Sequence, residues 1–236
     1  MHTGKTAKKL ETRGVKMKKN IGVLLAAGIG ARFGSTCPKQ FSTLNGREVI
    51  SYSIDMMKKV GNMDDFIVVV GHEEHISGEL DKKYNIRTIE GGDTRGYSFY
   101  NALQYIKVHY PDCEKVIFHE AARPLLKPEV MERYFDLLDD YDYVETCEKV
   151  VASLGCYLKD VKPKREDYYL IIAPEVYRYD LLMRHFDPES EIYFAADQLP
   201  ETARGYQCFD VKNNIKLTYK EDVGLIEYLL QSENRA

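Results

Sequence analysis

Apolar and polar positions alternate in blocks along the chain from residue 21 onward. Four short runs rich in apolar residues have the length of buried strands, and they cover residues 21–26, 66–70, 86–89 and 116–118. Segments with apolar residues at helical spacing predict helices over residues 49–60, 73–84 and 95–106, with another from 128 onward. Strands separated by helices of this length indicate crossover connections. The pattern therefore predicts an α/β fold with a mainly parallel sheet flanked by helices.

The alternation changes between residues 150 and 172, where a charged turn separates two more apolar segments. This pattern predicts a projecting β-hairpin arm with strands over 150–158 and 168–172. Isolated hairpins are marginal in water and leave strand edges unpaired, so we expect the arm to pack on a second copy of the chain in a homodimer. A helix over 176–186 and a C-terminal helix opened by a capping box at 218–221 complete the predicted elements.

Composition and charge narrow the class of protein. The 236 residues are 44% hydrophobic and 30% charged, enough for one sizeable domain with a solvated surface. Residues 1–20 are basic and lack the apolar segment of a signal peptide, so they predict a disordered extension ahead of a domain over 21–236. A net charge of −4 disfavours nucleic acid as a partner, and no apolar run reaches the ~20 residues that span a membrane. Five separated cysteines favour reduced thiols and a cytoplasmic location over a zinc site.

The loop after the first strand is the first candidate for chemistry. It reads Leu-Ala-Ala-Gly-Ile-Gly-Ala-Arg-Phe-Gly over residues 25–34 and is followed by Pro-Lys-Gln at 38–40. Backbone N–H groups can approach phosphate oxygens closely at three glycines: Gly28, Gly30 and Gly34. Arg32 and Lys39 can bind a triphosphate and balance the charge that grows as pyrophosphate leaves. The glycine spacing matches neither a dinucleotide-binding loop nor a Walker loop.

Further polar residues follow the later strands, at the edge where a parallel sheet binds its ligand. Gly92 lets the backbone pass close to a flat base, and Ser98 can offer a directional hydrogen bond. Glu120 can hold Mg²⁺ against triphosphate oxygens, although Glu120 and Arg123 are equally consistent with a structural ion pair. Lys216 is suited to a phosphate contact, or else is a solvated lysine at a strand end.

These segments together resemble the cytidylyltransferases that act on 2-C-methyl-D-erythritol 4-phosphate and on ribitol 5-phosphate. Besides the glycine loop, the resemblance rests on Gly-Gly-Asp-Thr-Arg at 91–95, His-Glu-Ala-Ala-Arg-Pro at 119–124 and Asn-Ile-Lys-Leu-Thr at 214–218. It covers nearly the whole chain. The resemblance implies a Rossmann-like fold, Mg²⁺ as cofactor, and CTP and a small phosphorylated acceptor as substrates. It also implies a homodimer whose arms reach over the partner's active site.

The resemblance also implies a role for each matching residue. Catalysis would depend on three cations: Arg32, Lys39 and Lys216. Glu120, where the family motif has Asp, would hold the metal, while Arg123 and the arm residue Arg165 would bind the acceptor. The nucleotide would be bound by a larger set: Ala26, Ala27, Gly28, Gly30, Gly34, Gly92, Asp93, Arg95, Ser98 and Ala121.

The acceptor side departs from the family pattern. Ala-Pro-Glu at 173–175 stands where the family usually has Thr-Pro-Gln, and Ala-Ala-Asp at 195–197 where it has Thr-Asp-Asp or Thr-Asp-Glu. Because hydroxyls and charges are replaced by apolar groups, we expect transfer of CMP to a phosphorylated sugar alcohol other than methylerythritol phosphate. The alternatives are the methylerythritol phosphate activity of isoprenoid precursor synthesis and a catalytically quiet nucleotide-binding homologue. The glycine spacing disfavours a dinucleotide-dependent oxidoreductase.

Overall fold

The chain forms a sheet with helices on both faces. The structure is a computed structural model and describes residues 18–34, 37–192 and 194–233. Its strands are β1 (Lys19–Leu25), β2 (Thr43–Leu44), β3 (Arg47–Glu48), β4 (Asp65–Val70), β5 (Thr88–Glu90), β6 (Cys113–Glu120), β7 (Tyr143–Lys149), β8 (Tyr169–Arg178) and β9 (Gly205–Cys208). Its α-helices are α1 (Val49–Met57), α2 (His72–Ser77), α3 (Glu79–Tyr84), α4 (Arg95–His109), α5 (Pro128–Leu137), α6 (Tyr179–His185) and α7 (Asp222–Glu233). None of the helices described is long and apolar enough to cross a membrane.

The main sheet has seven strands in the order β5-β4-β1-β6-β8-β7-β9. β1 is parallel to β4 and β6, β4 is parallel to β5, and β7 is parallel to β9. β8 runs antiparallel to both of its neighbours, β6 and β7. The predicted α/β fold with a mainly parallel, Rossmann-like sheet is therefore confirmed. β2 and β3 form a separate antiparallel pair.

Apolar layers cover both faces of this sheet. Successive residues of a strand point to opposite faces, so Leu24 packs with residues of α1 and α5 while Val23 packs with residues of α4 and α6. Burial on both faces explains the continuous apolar runs of the sequence. A third cluster contains Phe33, Leu217 and Ile226, and it fixes α7 and the loop before it against the loop that follows β1.

Two predicted helices have different boundaries in the structure. The helix predicted over 73–84 is divided into α2 and α3 by Gly78, whose φ of 60° lies in the left-handed region. The helix predicted over 176–186 begins only at Tyr179, because β8 continues through Arg178 as the partner of β6 and β7. Strand pairing on both sides of β8 thus overrides the helical spacing of these residues.

The two ends of the domain also differ from the prediction. α7 begins at Asp222, whose carboxylate accepts a hydrogen bond from the backbone N–H of Thr218 at 2.7 Å, so the predicted capping box does not open the helix. At the other end, Lys19 already belongs to β1, and the predicted extension therefore ends before residue 20. Residues 1–17 lie outside the described part of the chain.

The predicted arm is present as a hairpin, with a different first strand. β7 pairs with β8 along nearly its whole length, and the ladder ends where Lys149 lies opposite Tyr169. The strand predicted over 150–158 is wrong, because residues 150–168 form the loop that joins the two strands. Without a ladder to join, the side chain of Val151 in this loop is 86% exposed.

Candidate active site

A cleft of about 420 Å³ opens at the carboxyl ends of the parallel strands. This volume is in the range of sites for small molecules, and the position is the one where open α/β sheets bind ligands. The cleft is lined by Leu25, Ala26, Ala27, Gly28, Ile29, Gly30, Arg32, Lys39, Gln40, Gly92, Asp93, Thr94, Arg95, Ser98, Glu120, Ala121, Ala122, Lys216 and Thr218.

The loop after β1 is held in shape by one buried amide. The side-chain N–H group of Gln40 donates to the backbone carbonyls of Ala26 at 2.6 Å and Gly28 at 3.0 Å. Gly30 has a φ of 67°, and a Cβ atom there would lie 3.2 Å from the Cγ atom of Lys39. The glycine therefore permits both the turn and the close approach of the lysine. Sequence reasoning missed Gln40, although it directly follows the predicted lysine.

Three cations, Arg32, Lys39 and Lys216, line the same cleft. Burial and the nearby charge of Lys216 lower the pKa of Lys39 from 10.5 to about 8, with smaller contributions of the same sign from Arg32 and Arg123. The charge of Glu120 opposes this shift without cancelling it. The ammonium group of Lys39 thus lies in an excess of positive charge, which an anionic ligand would relieve.

Glu120, the last residue of β6, lies between two cations. Its Oε2 accepts a hydrogen bond from the Nε of Arg123 at 2.9 Å, and its Oε1 accepts one from the Nζ of Lys216 at 2.7 Å. Burial alone would raise the pKa of Glu120, but the charges of Arg123 and Lys216 outweigh it and hold the pKa at about 2. The carboxylate is therefore ionised, and the ion pair considered from the sequence is present.

Glu120 is also a carboxylate that a metal in the cleft could contact. Among the described residues, no three His, Cys, Asp or Glu side chains cluster in a way that could hold an ion. Each oxygen of Glu120 accepts one hydrogen bond from the protein and retains a further lone pair. The structure therefore contains no closed protein cage for Mg²⁺, and any metal bound at Glu120 would need ligands from a substrate.

Arg123 lies behind Glu120, outside the residues that line the cleft. It is 7% exposed, and its guanidinium also donates to the backbone carbonyl of Asn214 at 2.6 Å. In this way Arg123 links the end of β6 to the loop that carries Lys216. A direct contact of Arg123 with an acceptor phosphate stays a prediction.

His119 next to this pair is buried and neutral. Its Nε2 lies 3.2 Å from the backbone oxygen of Arg123, and burial together with the charge of Arg123 lowers the pKa of His119 to about 4. At neutral pH the imidazole therefore contributes no charge, and its location inside the sheet gives it no contact with a ligand in the cleft.

The opposite wall of the cleft is formed by the loop between β5 and α4. Gly92 packs so closely on α4 that a Cβ atom there would lie 2.2 Å from the Cβ of Tyr97. The Oγ of Ser98 accepts a hydrogen bond from the backbone N–H of Gly92 at 3.2 Å. Thr94 caps α4 by accepting from the N–H of Tyr97 at 3.2 Å. This wall is thus fixed by its own hydrogen bonds.

The cleft brings together all the predicted site residues except three. Gly34 and Arg123 lie outside its lining, and so does Arg165 in the arm. Arg165 donates to the backbone carbonyl of Val151 at 3.2 Å and pairs with Glu166 at 3.0 Å, and its side chain is 47% exposed. Within its own chain, Arg165 is therefore an arm residue and has no place in the cleft.

Comparisons with known proteins identify the same family as the motifs. The family model "IspD: 2-C-methyl-D-erythritol 4-phosphate cytidylyltransferase" matches residues 21–232. The 2-C-methyl-D-erythritol 4-phosphate cytidylyltransferase of Thermosipho melanesiensis is 32% identical over 220 residues, which cover 88% of this chain and 96% of the relative. A bifunctional ribulose 5-phosphate reductase/CDP-ribitol pyrophosphorylase, Bcs1 of Haemophilus influenzae, is 30% identical over 234 residues. That match covers 92% of this chain and 49% of Bcs1, so the chain spans about half the length of that relative.

A solved structure supports the fold independently. The crystal structure of 4-diphosphocytidyl-2C-methyl-D-erythritol synthase from Anaerococcus prevotii superposes with a TM-score of 0.76 at 23% sequence identity. The superposition covers 91% of this chain and 99% of the other chain. The shared architecture therefore extends over the described domain, including the strands around the cleft.

Proposed function

The chain belongs to the IspD family of cytidylyltransferases, and on that premise we propose that it transfers CMP from CTP to a small phosphorylated sugar alcohol, releasing pyrophosphate. The observation that carries the proposal is the convergence of the loop after β1, Lys39, Lys216 and the ionised Glu120 on one cleft. Pocket size and charge both suit a nucleoside triphosphate. The proposal includes a cytoplasmic location, since Cys113, Cys147 and Cys208 form no disulfide, as is usual in a reducing compartment.

The reaction is an in-line displacement at the α-phosphorus of CTP. A phosphate oxygen of the acceptor forms the new P–O bond, the bond to the bridging oxygen of the β-phosphate breaks, and pyrophosphate leaves with that electron pair. No covalent bond to the enzyme forms, so catalysis consists of positioning and charge stabilisation. Lys39 and Lys216 provide positive charge beside the triphosphate, with Arg32 at the edge of the cleft. The bound anion keeps Lys39 protonated, because it offsets the neighbouring cations.

Glu120 is the residue that holds Mg²⁺ in this proposal. Mg²⁺ is usually bound by one or two carboxylates together with substrate phosphates, and the ionised carboxylate of Glu120 in the cleft fits that pattern. When bound, the ion would offset negative charge on the triphosphate. The hydrogen bonds from Arg123 and Lys216 orient the carboxylate towards the cleft.

The acceptor we favour is a polyol phosphate other than methylerythritol phosphate. Ala173, Ala195 and Ala196 are all buried and offer no hydroxyl or charge where the family pattern has polar side chains. A site without a hydrogen-bonding partner for a substrate hydroxyl loses selectivity for that substrate. The similarity to Bcs1, whose name includes a CDP-ribitol pyrophosphorylase, supports ribitol 5-phosphate as the first compound to test.

A homodimer with shared active sites is part of the same proposal. The loop over 150–168 exposes large apolar side chains, including Val151, Tyr157 and Leu158 at 86%, 107% and 67%. A second copy of the arm would cover them by the self-complementary contact that a two-fold axis allows. Arg165 in the same loop would then reach the partner's cleft and bind the acceptor phosphate.

The test is CTP-dependent pyrophosphate release with a panel of acceptors: ribitol 5-phosphate, methylerythritol phosphate, other polyol and sugar phosphates, and phosphonates. We expect a polyol phosphate to have the highest kcat/KM, with methylerythritol phosphate lower by on the order of 10²-fold. Replacement of CTP by ATP should abolish release. Highest turnover with methylerythritol phosphate would establish the alternative activity, and CTP binding without turnover on any acceptor would indicate a quiet homologue.

A further inference from the structure

A buried carboxylate lies behind the nucleotide wall of the cleft. Glu175 on β8 is 2% exposed and accepts hydrogen bonds from the guanidinium of Arg95 and from the hydroxyl of Tyr177. Burial and the charge of Glu175 raise the pKa of Tyr177 well above its ordinary value. The hydroxyl therefore stays protonated and donates a hydrogen bond to Glu175. Both oxygens of Glu175 are thereby engaged by the protein, and the carboxylate is out of reach of a ligand.

Arg95 is the partner that a ligand can reach. Its side chain is 23% exposed and lines the cleft beside Gly92 and Ser98. The pair is therefore asymmetric, with the cation at the surface of the cleft and the anion behind it. A buried ion pair of this kind is weak evidence for stability, because desolvation offsets the attraction of the charges.

A stack of aromatic rings also packs against the guanidinium of Arg95. Its Cζ lies 4.5 Å from the centre of the Phe99 ring, which stacks in turn on Phe118 with ring centres 3.9 Å apart. Phe118 lies directly opposite Glu175 in the register of β6 and β8. The ring stack and the carboxylate thus come from the same place in the sheet, and Arg95 is held against both.

The position of Arg95 at the start of α4 is electrostatically unfavourable. Arg95 is the first residue of α4, where the positive end of the helix dipole disfavours a cation. A carboxylate against the guanidinium offsets that cost. The arrangement therefore retains a cation in an unfavourable place, on the surface of the cleft, by means of a buried partner.

We propose that Glu175 is a positioning residue for nucleotide binding, which acts by fixing the guanidinium of Arg95 on the wall of the cleft. This inference rests on the proposed function, since it takes Arg95 to be one of the residues that meet CTP. In this role Glu175 acts through Arg95 and does not itself touch the substrate. The role requires a hydrogen-bond acceptor at this position. A glutamine at position 175 should therefore retain most of the affinity for CTP.

The experiment measures the Kd of CTP with Mg²⁺ by calorimetry, without an acceptor. Glu175→Leu should weaken binding on the order of tenfold, the loss of about one oriented hydrogen bond, while Glu175→Gln should stay within about threefold of wild type. The matched control is Glu145→Leu. Glu145 lies directly opposite Glu175 on β7 and is equally buried, yet it makes no hydrogen bond to Arg95. This control should leave the Kd unchanged even if it lowers the Tm.

A second pair of variants keeps the test valid if Glu175→Leu does not fold. Arg95→Lys leaves Glu175 paired with a cation but removes the planar group, and it should also weaken CTP binding on the order of tenfold. Arg95→Ala combined with Glu175→Leu should bind no more weakly than Arg95→Ala alone, since both changes interrupt one interaction.

Wild-type affinity in folded Glu175→Leu or in Arg95→Lys would overturn the inference, and so would additive losses in the double variant. Failure of the proposed function gives a different result. In that case the unaltered protein itself would not bind CTP, and the variants would have no affinity to lose.

Discussion

The two halves of the sheet meet the cleft in different ways. In the half built from β1, β4, β5 and β6, neighbouring strands are parallel. The loops that line the cleft in this half begin where β1, β5 and β6 end. The hydrogen bonds of Gln40 and Ser98 fix these loops from within the same chain. In the half built from β7, β8 and β9, two buried carboxylates, Glu145 and Glu175, lie among the core residues, and the predicted acceptor ligand Arg165 lies in an exposed loop.

Strand direction explains why the second half can still contribute. β8 is antiparallel to β6, and β7 is antiparallel to β8, so β7 ends at the same edge of the sheet as β6. The loop over 150–168 therefore leaves the sheet at the edge that carries the cleft. The predicted nucleotide-binding residues except Gly34 therefore line one cleft within a single chain, whereas the predicted acceptor ligand Arg165 lies in the loop over 150–168, outside that cleft.

The largest expected effect is on the nucleotide half. Lys39→Ala and Lys216→Ala should each lower kcat on the order of 10²-fold, because each removes a charge that stabilises the departing pyrophosphate. Steady-state pyrophosphate release measures the effect. Lys212→Ala is the matched control, since this exposed lysine lies near Lys216 in sequence and outside the cleft lining. Turnover at the wild-type level in folded Lys39→Ala or Lys216→Ala would show that the lysine in question takes no part in catalysis.

The next effect tests whether the acceptor half is shared between chains. Arg165→Ala should raise the KM of the acceptor on the order of tenfold, with the Kd of CTP unchanged, because one phosphate contact is lost. Lys164→Ala, an exposed neighbour, should have no effect.

Mixing the two defects shows which chain supplies Arg165. At acceptor concentrations well below the wild-type KM, an equimolar mixture of Arg165→Ala and Lys39→Ala, after confirmed subunit exchange, should exceed both parents in activity, since half of the heterodimer sites would be intact. Activity no higher than that of the parents, or a monomer in sedimentation, would confine the acceptor site to one chain.

The difference between the halves also decides what could be predicted from the sequence. Strand, glycine turn and cation follow one another within a few residues in the loop after β1, so Gly28, Arg32 and Lys39 were placed in the cleft by local pattern alone. The ion pair of Glu120 and Arg123 is likewise local. Gln40 was missed because its partners are backbone carbonyls, which leave no mark in the sequence.

The second half depends on contacts that are distant in sequence. β7 carries buried Glu145 and Thr146, so it lacks the apolar run that marks a buried strand, and it was not predicted. Its pairing with β8 alone brings Glu145 opposite Glu175. The apolar residues after 150 have the pattern of a strand but pair with no strand among the residues that the structure describes. Long-range strand register, which sequence periodicity does not encode, therefore decides the structure of this region.

The smallest expected effect concerns the pH dependence of stability in the second half. Burial raises the pKa of Glu145 from 4.5 to about 7, with the negative charges of Glu175 and Asp197 acting in the same direction. The hydrogen bond from Gln207 opposes the shift only in part. Between pH 4.5 and 7 the native protein therefore keeps a proton that the unfolded chain has released, and stability falls as the pH rises through this window.

In the nucleotide half, Glu120 changes the stability with pH in the opposite direction. Its pKa of about 2 lies below that of the unfolded chain, so its contribution is present above pH 4.5 and is lost as the pH falls towards 2. Between pH 5 and pH 7 Glu120 therefore adds no change in stability, whereas buried His119, whose pKa of about 4 lies below that of the unfolded chain, adds stability as the pH rises. The difference between wild type and Glu145→Gln isolates Glu145, because both proteins share the contribution of His119. Glu145→Gln should remove the part of the pH-dependent loss of stability that Glu145 causes. The change in Tm from pH 5 to pH 7 should therefore differ between wild type and Glu145→Gln on the order of 2–4 °C. Thermal unfolding of wild type, Glu145→Gln and the exposed control Glu148→Gln measures it. Parallel Tm curves for wild type and Glu145→Gln would mean that Glu145 titrates normally, and the buried acidic pair would no longer distinguish the two halves.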